Sequence, residues 1–295
     1  MEQEAPFHSE NNRDRSGRIV PRWAADLVAR LAQEAPTIVT RERLEKLLVD
    51  SGSSVPVDVA LKRLLRLRWL RGVSVRGAFA FVPPGVDDIA DRYIDLRGWH
   101  AKNPSAIFYL ASDNAAWHLG YLDREPEGVT VWLPPNTTLP SGLRGKISNV
   151  KTRFPTDKID ARHVGPTADL LRKRRLDLLT WSAGLPAFGP EALIAQIASR
   201  PASFKSWVDL ANKIGDLARD ADIERLRVLL SASSASAQQR AAYLLRLGKR
   251  DDAATLLPAK IQPVEFGTGD TTSWDAITGV NDHLVARLMS ANAKA

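Results

Sequence analysis

The chain has 295 residues, a net charge of +7, 44% hydrophobic and 25% charged side chains, and no cysteine. That length is more than one average domain holds and the balance is that of a globular protein, so two folded domains are expected and wholesale disorder is excluded. The missing cysteines exclude disulfides and thiolate-ligated metal centres, and no apolar run approaches the roughly 18 residues a membrane span needs, which together fit a cytoplasmic protein.

Residues 1–17 are polar, mixed in charge and without the apolar core of a secretory signal, and read as a mobile tail. Pro21 then suits a first helical turn, and Trp23, Leu27 and Leu31 recur on one face. "EAPTIVT" interrupts the run. Thr40 is placed to cap a second helix carrying Leu44, Leu47 and Leu48, and after the turn signal "DSGSS", Ser54 is placed to cap a third. On a helical wheel Leu61, Leu64 and Leu65 of this third helix point to a core. Lys62, Arg63 and Arg66 lie opposite with Val59. The helix is expected to end near Leu67, and "RWLRGVSV" and "AFAFVP" to form two strands around Arg76-Gly77.

Helix, helix, turn, helix and hairpin in this order is the layout of a winged helix-turn-helix, expected over residues 18–87 and closed by Pro83-Pro84-Gly85. Between Val59 and Gly85 the chain carries six cations (Lys62, Arg63, Arg66, Arg68, Arg71 and Arg76) and no acidic side chain. Cations on a recognition helix and wing take their counter-charge from phosphates, so they need no protein partner, and arginine also reads guanine edges bidentately. The expected DNA contacts are Lys62, Arg63 and Arg66 from the helix and Arg71 and Arg76 from the wing. The competing reading is a solvated basic face, or a winged helix used for protein contacts.

Residues 88–295 are expected to be one larger domain with a strand-rich part followed by a helical part, making the whole chain α+β. Helices are expected in "VDDIADRYIDLRGWH" and, capped by Ser112, in "LASDNAAWHLGYLD"; strands are expected in "GVTVWLPP", "GKISNVKTRF" and "RLDLLTW". From Gly189 onward five helical segments follow, and the last 35 residues are less regular. A second basic island spans 151–175, and its run Arg172, Lys173, Arg174 and Arg175 is a solvated turn or a second nucleic-acid contact.

No chemistry-bearing motif emerges. His8, His100, His118, His163 and His283 lack metal-ligand spacing, and there is no nucleophile elbow or phosphate-binding loop. "GTGDTTS" lacks the lysine and the strand–helix frame of such a loop. Asp220 and Asp222 have the spacing of a two-carboxylate metal site, but at a helix start capping is the better reading. No enzyme activity, cofactor or metal is therefore expected.

Three stretches, "LKRLLRLRWLRGVSVRGAFAFVPP", "IFYLASDNAAWHLGYLD" and "LRLGKRDDAATLL", together resemble the AbiEi family of antitoxins. The Asp-rich active site of the cognate toxin class, which follows a Gly-Ser pair, is not present. The resemblance implies a DNA-binding repressor of its own operon, acting on inverted repeats in double-stranded promoter DNA. It also implies that the C-terminal domain opposes a nucleotidyltransferase-like toxin. It carries DNA contact onto Lys62, Arg63, Arg66, Arg71 and Arg76 and assigns no antitoxin residue. The alternatives are a ligand-sensing regulator without a toxin, a metal-dependent nuclease using Asp220 and Asp222, and, ranked lower, an RNA-binding protein.

Overall fold

Three helices and a small sheet build the N-terminal part of the computed structural model, which describes residues 20–135, 137–154, 185–268 and 273–292. The expected N-terminal tail, the "RLDLLTW" strand, the Arg172–Arg175 run and most of "GTGDTTS" lie outside those residues. The chain divides into two compact units. The first extends to Ala106 and includes Pro140–Leu143; the second comprises Ile107–Leu139 and everything from Arg144 on.

In the first unit the order is α1 (Arg22–Glu34), β1 (Ile38–Thr40), α2 (Arg41–Asp50), α3 (Val57–Arg66), β2 (Leu70–Gly72), β3 (Ala78–Phe81) and α4 (Ile94–Lys102). The strands form an antiparallel sheet in the order β1-β3-β2. Leu27 and Leu31 of α1, Leu44 and Leu48 of α2, and Leu61 and Leu64 of α3 pack against Val39, Leu70 and Phe81 of the sheet. Thr40 caps α2 as expected, its hydroxyl accepting from the Arg43 N–H at 3.2 Å. Arg63 and Arg66 fill the last turn of α3, where cations favour the helix dipole. The helix then closes in a Schellman turn. Arg68 takes φ 62°, its N–H bonds to the Leu65 carbonyl at 3.1 Å, and Trp69 N–H reaches the Leu64 carbonyl at 3.0 Å. That turn delivers the chain into β2.

Four expectations about this unit need correction. Strand β1 lies in "EAPTIVT", which reads only as an interruption, because three residues show no periodicity. Pro56, with its fixed φ, occupies the N-cap position of α3 that Ser54 was expected to hold. Leu65 is 37% exposed, and Ala60 is fully buried in its stead, packed in the same core as Leu61 and Leu64. The helix expected from Val86 starts only at Ile94, after Asp91 accepts from the Tyr93 N–H at 2.8 Å and the Arg97 Nε at 2.5 Å. Because α4 packs on β1 and β3, the unit runs past the Pro83-Pro84-Gly85 punctuation to Ala106.

The second unit contains β4 (Tyr109–Leu110), α5 (Ser112–His118), β5 (Val129–Trp132) and β6 (Ile147–Val150). Beyond these come α6 (Pro190–Ser199), α7 (Trp207–Asp220), α8 (Ile223–Leu230) and α9 (Ala235–Leu247), then β7 (Val264–Phe266), β8 (Ser273–Asp275), β9 (Val280–Asp282) and α10 (Val285–Asn292). One sheet runs β4-β5-β6 and another β7-β9-β8, each with one parallel pair, β5 with β6 and β7 with β9. Helix α6 is the hub: it is buried on every side from Pro190 to Ala198 and packs against α5, α7, α8 and α9. Its two buried polar side chains are satisfied by backbone. Gln196 accepts from Ser112 N–H at 2.8 Å, and Glu191 accepts from Asp222 N–H at 3.0 Å.

Ser112 does not cap α5. It lies inside the helix at φ 56° with Ala111 as N-cap, and its hydroxyl donates to the Ser203 carbonyl at 3.0 Å. Its neighbour Asp113 instead holds the entry to α7, accepting from Lys205 N–H and Ser206 N–H. Capping does account for Asp222, whose carboxylate accepts from Arg225 N–H at 3.0 Å, while Asp220 accepts from the Tyr121 hydroxyl at 2.6 Å. The last segment is tied down through Asp282, fully buried. It accepts from Tyr243 Oη at 2.7 Å and from the N–H groups of Leu284, Val285 and Ala286 at the start of α10. Burial, and after it this hydrogen bond to the Asp282 carboxylate, pushes the Tyr243 phenol far above its usual range.

Candidate nucleic-acid interface

Helix α3 presents Val59, 53% exposed, with Lys62 and Arg66 also exposed, and Arg63 half-buried behind them. Asp58, in the first turn of the same helix, pairs with Arg41 at the start of α2. The Arg41 guanidinium holds the Asp58 carboxyl below the usual carboxylate range, with a smaller contribution from Lys62. The one acidic side chain of α3 is therefore already engaged, in a pair that joins the start of α2 to the start of α3. The angle between these helices decides how α3 would enter a groove.

The wing is the connection between β2 and β3, with Arg76 exposed near its tip. Gly77 turns the chain at φ 78°, a conformation that suits glycine, and its carbonyl accepts from the Arg41 N–H at 2.9 Å. Asp95 of α4 braces the wing from behind, accepting from both Ser74 N–H and Ser74 Oγ at 2.7 Å. Two glycines permit this closeness. A Cβ at Gly98 would lie 2.8 Å from Val73 Cγ2, and one at Gly142 would lie 1.8 Å from the Ser74 carbonyl oxygen. A wing held on a rigid base loses less entropy when it meets a ligand. Asp95, Gly98 and Gly142 carry no sequence signal of this role, since each acts through a partner distant along the chain.

Arg71 departs from expectation. It was expected to need no protein partner, yet its guanidinium pairs with Asp88 at 2.5 Å, with side chains 37% and 68% exposed. The segment after β3 brings the carboxylate back 17 residues along the chain. Lys102, outside the basic segment 59–85, lies beside the wing turn and pairs with Glu42 at 2.6 Å. The candidate second contact at Arg172, Lys173, Arg174 and Arg175 lies outside the described residues. Among the described residues no three His, Asp or Glu side chains converge as a metal site, and no helix is long and apolar enough to cross a membrane.

The second unit begins at Ile107, and a family model described as the AbiEi antitoxin C-terminal domain matches residues 106–247. No curated protein matches the chain. Among solved structures, the crystal structure of the RV2827C protein from Mycobacterium tuberculosis is similar over nearly the full length of both. It is 41% identical, covers 96% of this chain and 97% of that chain, and superposes with a TM-score of 0.79. A match to the antitoxin domain that starts where the second compact unit starts, within a likeness that spans both units, places this chain in the AbiEi-type antitoxin family.

Proposed function

We propose that this antitoxin binds double-stranded promoter DNA through its first unit, with α3 in the major groove and the wing along the backbone, and so represses its own operon. Lys62, Arg63 and Arg66 contact DNA from the helix and Arg71 and Arg76 from the wing, with Val59 positioned for a thymine methyl. The second unit opposes a nucleotidyltransferase-like toxin, by direct contact or indirectly, in the cytoplasm. The observation that carries the DNA-binding half is the exposed basic side of α3 and the wing, built on a helix–strand–helix–helix–hairpin order.

The test separates the two halves. Arg63→Ala with Arg66→Ala removes two charge-assisted contacts at positions on the side of α3 opposite Leu61 and Leu64, and a base-edge contact is worth roughly 1–3 kcal/mol. Promoter binding is expected to weaken by about a hundredfold, and a promoter fusion to be derepressed. Rescue of cells making the toxin from an independent promoter is expected to persist. A folded double variant that binds the promoter normally overturns the α3 assignment. One that loses binding and rescue together overturns the division of labour and favours a purely transcriptional regulator.

A further inference from the structure

Within the second unit, four separated segments enclose a cleft of about 620 Å³. Leu133, Pro134 and Pro135, beyond the end of β5, give it an apolar wall. Lys151 and Arg153 enter from the chain leaving β6, Arg200 from the end of α6, and Ser233 and Ser234 from the turn before α9. Among the described residues that line the cleft there are three cations and no acidic side chain.

Two further observations point to a ligand. Thr152 lines the cleft at only 7% exposure, and its Oγ1 is buried without a hydrogen-bond partner among the described residues; Ser233 Oγ is in the same state. A buried hydroxyl left unsatisfied is costly, so such groups mark places where an acceptor is supplied from outside. The amino end of α9, a 13-residue helix capped by Ser234, adds the positive end of a helix dipole to the same wall. Hydroxyl donors, guanidinium groups and a helix amino end are the chemistry that holds phosphoryl oxygens. The volume is that of a small-molecule site, and the proline–leucine wall suits the flat part of a nucleoside.

We infer that this cleft binds a phosphorylated small molecule of nucleotide size through Lys151, Arg153, Arg200, Thr152 and Ser233. The inference goes beyond the proposed function and does not rest on DNA binding by the first unit. The experiment is calorimetric titration of the full-length protein with ATP and, separately, with inorganic tripolyphosphate, at two salt concentrations. ATP binding stronger than tripolyphosphate assigns a nucleotide; equal binding assigns the polyphosphate alone, and both support an oxyanion site. Arg153→Ala with Arg200→Ala is expected to weaken binding at least tenfold and to flatten its salt dependence. Thr152→Val, which keeps shape and loses only the hydroxyl, is expected to weaken it several-fold. Arg63→Ala with Arg66→Ala is expected to leave it unchanged. Absence of binding overturns the inference. So does binding that survives the cleft variants and disappears with the α3 variant, because that places the anion on the DNA-binding face.

Discussion

Replacing Asp88 by Asn is expected to tighten DNA binding. Arg71 is held by Asp88 at 2.5 Å, and the pair is exposed, at 37% and 68%. An exposed pair of this kind contributes about 0–1 kcal/mol, so a phosphate can take over the guanidinium at little cost. The remaining carboxylate would still repel the DNA, by about 0.5 kcal/mol per phosphate at ~8 Å in a water-like dielectric. Removing the charge recovers both contributions, together about 1 kcal/mol, or roughly fivefold in affinity at low salt. The Asn side-chain oxygen can still accept from the Ile89 N–H, as Asp88 does now at 2.7 Å, so the turn should persist. Anisotropy titrations of labelled promoter DNA across a salt series give the second readout. With about five phosphates neutralised, the slope of log K against log salt lies near −4 to −5. It should steepen by up to about 0.9 in the variant as Arg71 is released. Arg71→Ala should do the reverse, and in the double variant the gain from Asp88→Asn should shrink to its repulsion component. An Asp88→Asn gain that is unchanged in the Arg71→Ala background, or an Asp88→Asn variant that binds more weakly, refutes the reasoning.

Other expectations follow from the geometry. Thr40→Ala removes the cap of α2 and should cost about 1 kcal/mol in urea unfolding, with its effect on DNA binding secondary to that loss. Gly142→Ala puts a methyl group 1.8 Å from the Ser74 carbonyl oxygen, a backbone atom already tied through its residue to Asp95. It should destabilise by roughly 1–3 kcal/mol and loosen the wing, seen as a lower Tm and weaker promoter binding. His118 is buried, and desolvation lowers its pKa from 6.5 to about 4. Between those values the unfolded chain binds a proton that the folded chain refuses, so this contribution to stability is present above pH 6.5 and is lost as pH falls toward 4. The loss amounts to at most about 3 kcal/mol. Unfolding at pH 7 and pH 5 should show a smaller pH effect in His118→Asn than in the native protein.

The first unit was largely readable because its determinants are local. Leu27 and Leu31 repeat at helical spacing, Thr40 sits one residue before α2, and Gly77 marks the wing turn. Readings failed where a neighbour in space decided the outcome. A wheel assigns Leu65 and Ala60 by angle alone, whereas the packing of α3 buries the alanine and leaves the leucine partly in water. In the second unit, the parallel pairs β5–β6 and β7–β9 join segments whose register no short pattern encodes. Helix α6 was recognisable as a helix, but its burial on all sides leaves no polar face from which to infer what surrounds it.

Charge illustrates the same division at the level of the sites. A count along the chain finds no acidic side chain in the basic segment 59–85, and Arg76 is exposed near the tip of the wing. For Arg71 the count misleads, because Asp88 lies beyond the window in sequence and within it in space. The second basic island reads most strongly at Arg172–Arg175, where four cations are consecutive. Two isolated members at its other end, Lys151 and Arg153, carry the structural information instead. They are separated by Thr152, a residue with an orphaned buried hydroxyl, and the chain brings Arg200 and the amino end of α9 to the same cleft from points far along the sequence. No motif spans these segments, so their convergence is visible only in the folded chain, where residues after β6 and at the end of α6 line one cleft. A run of like charges in sequence needs solvent or a polyanion to relieve it. Like charges gathered from separate segments around an unsatisfied hydroxyl have been brought together by the fold itself, against their own repulsion, and an anionic ligand of defined size is what offsets that cost.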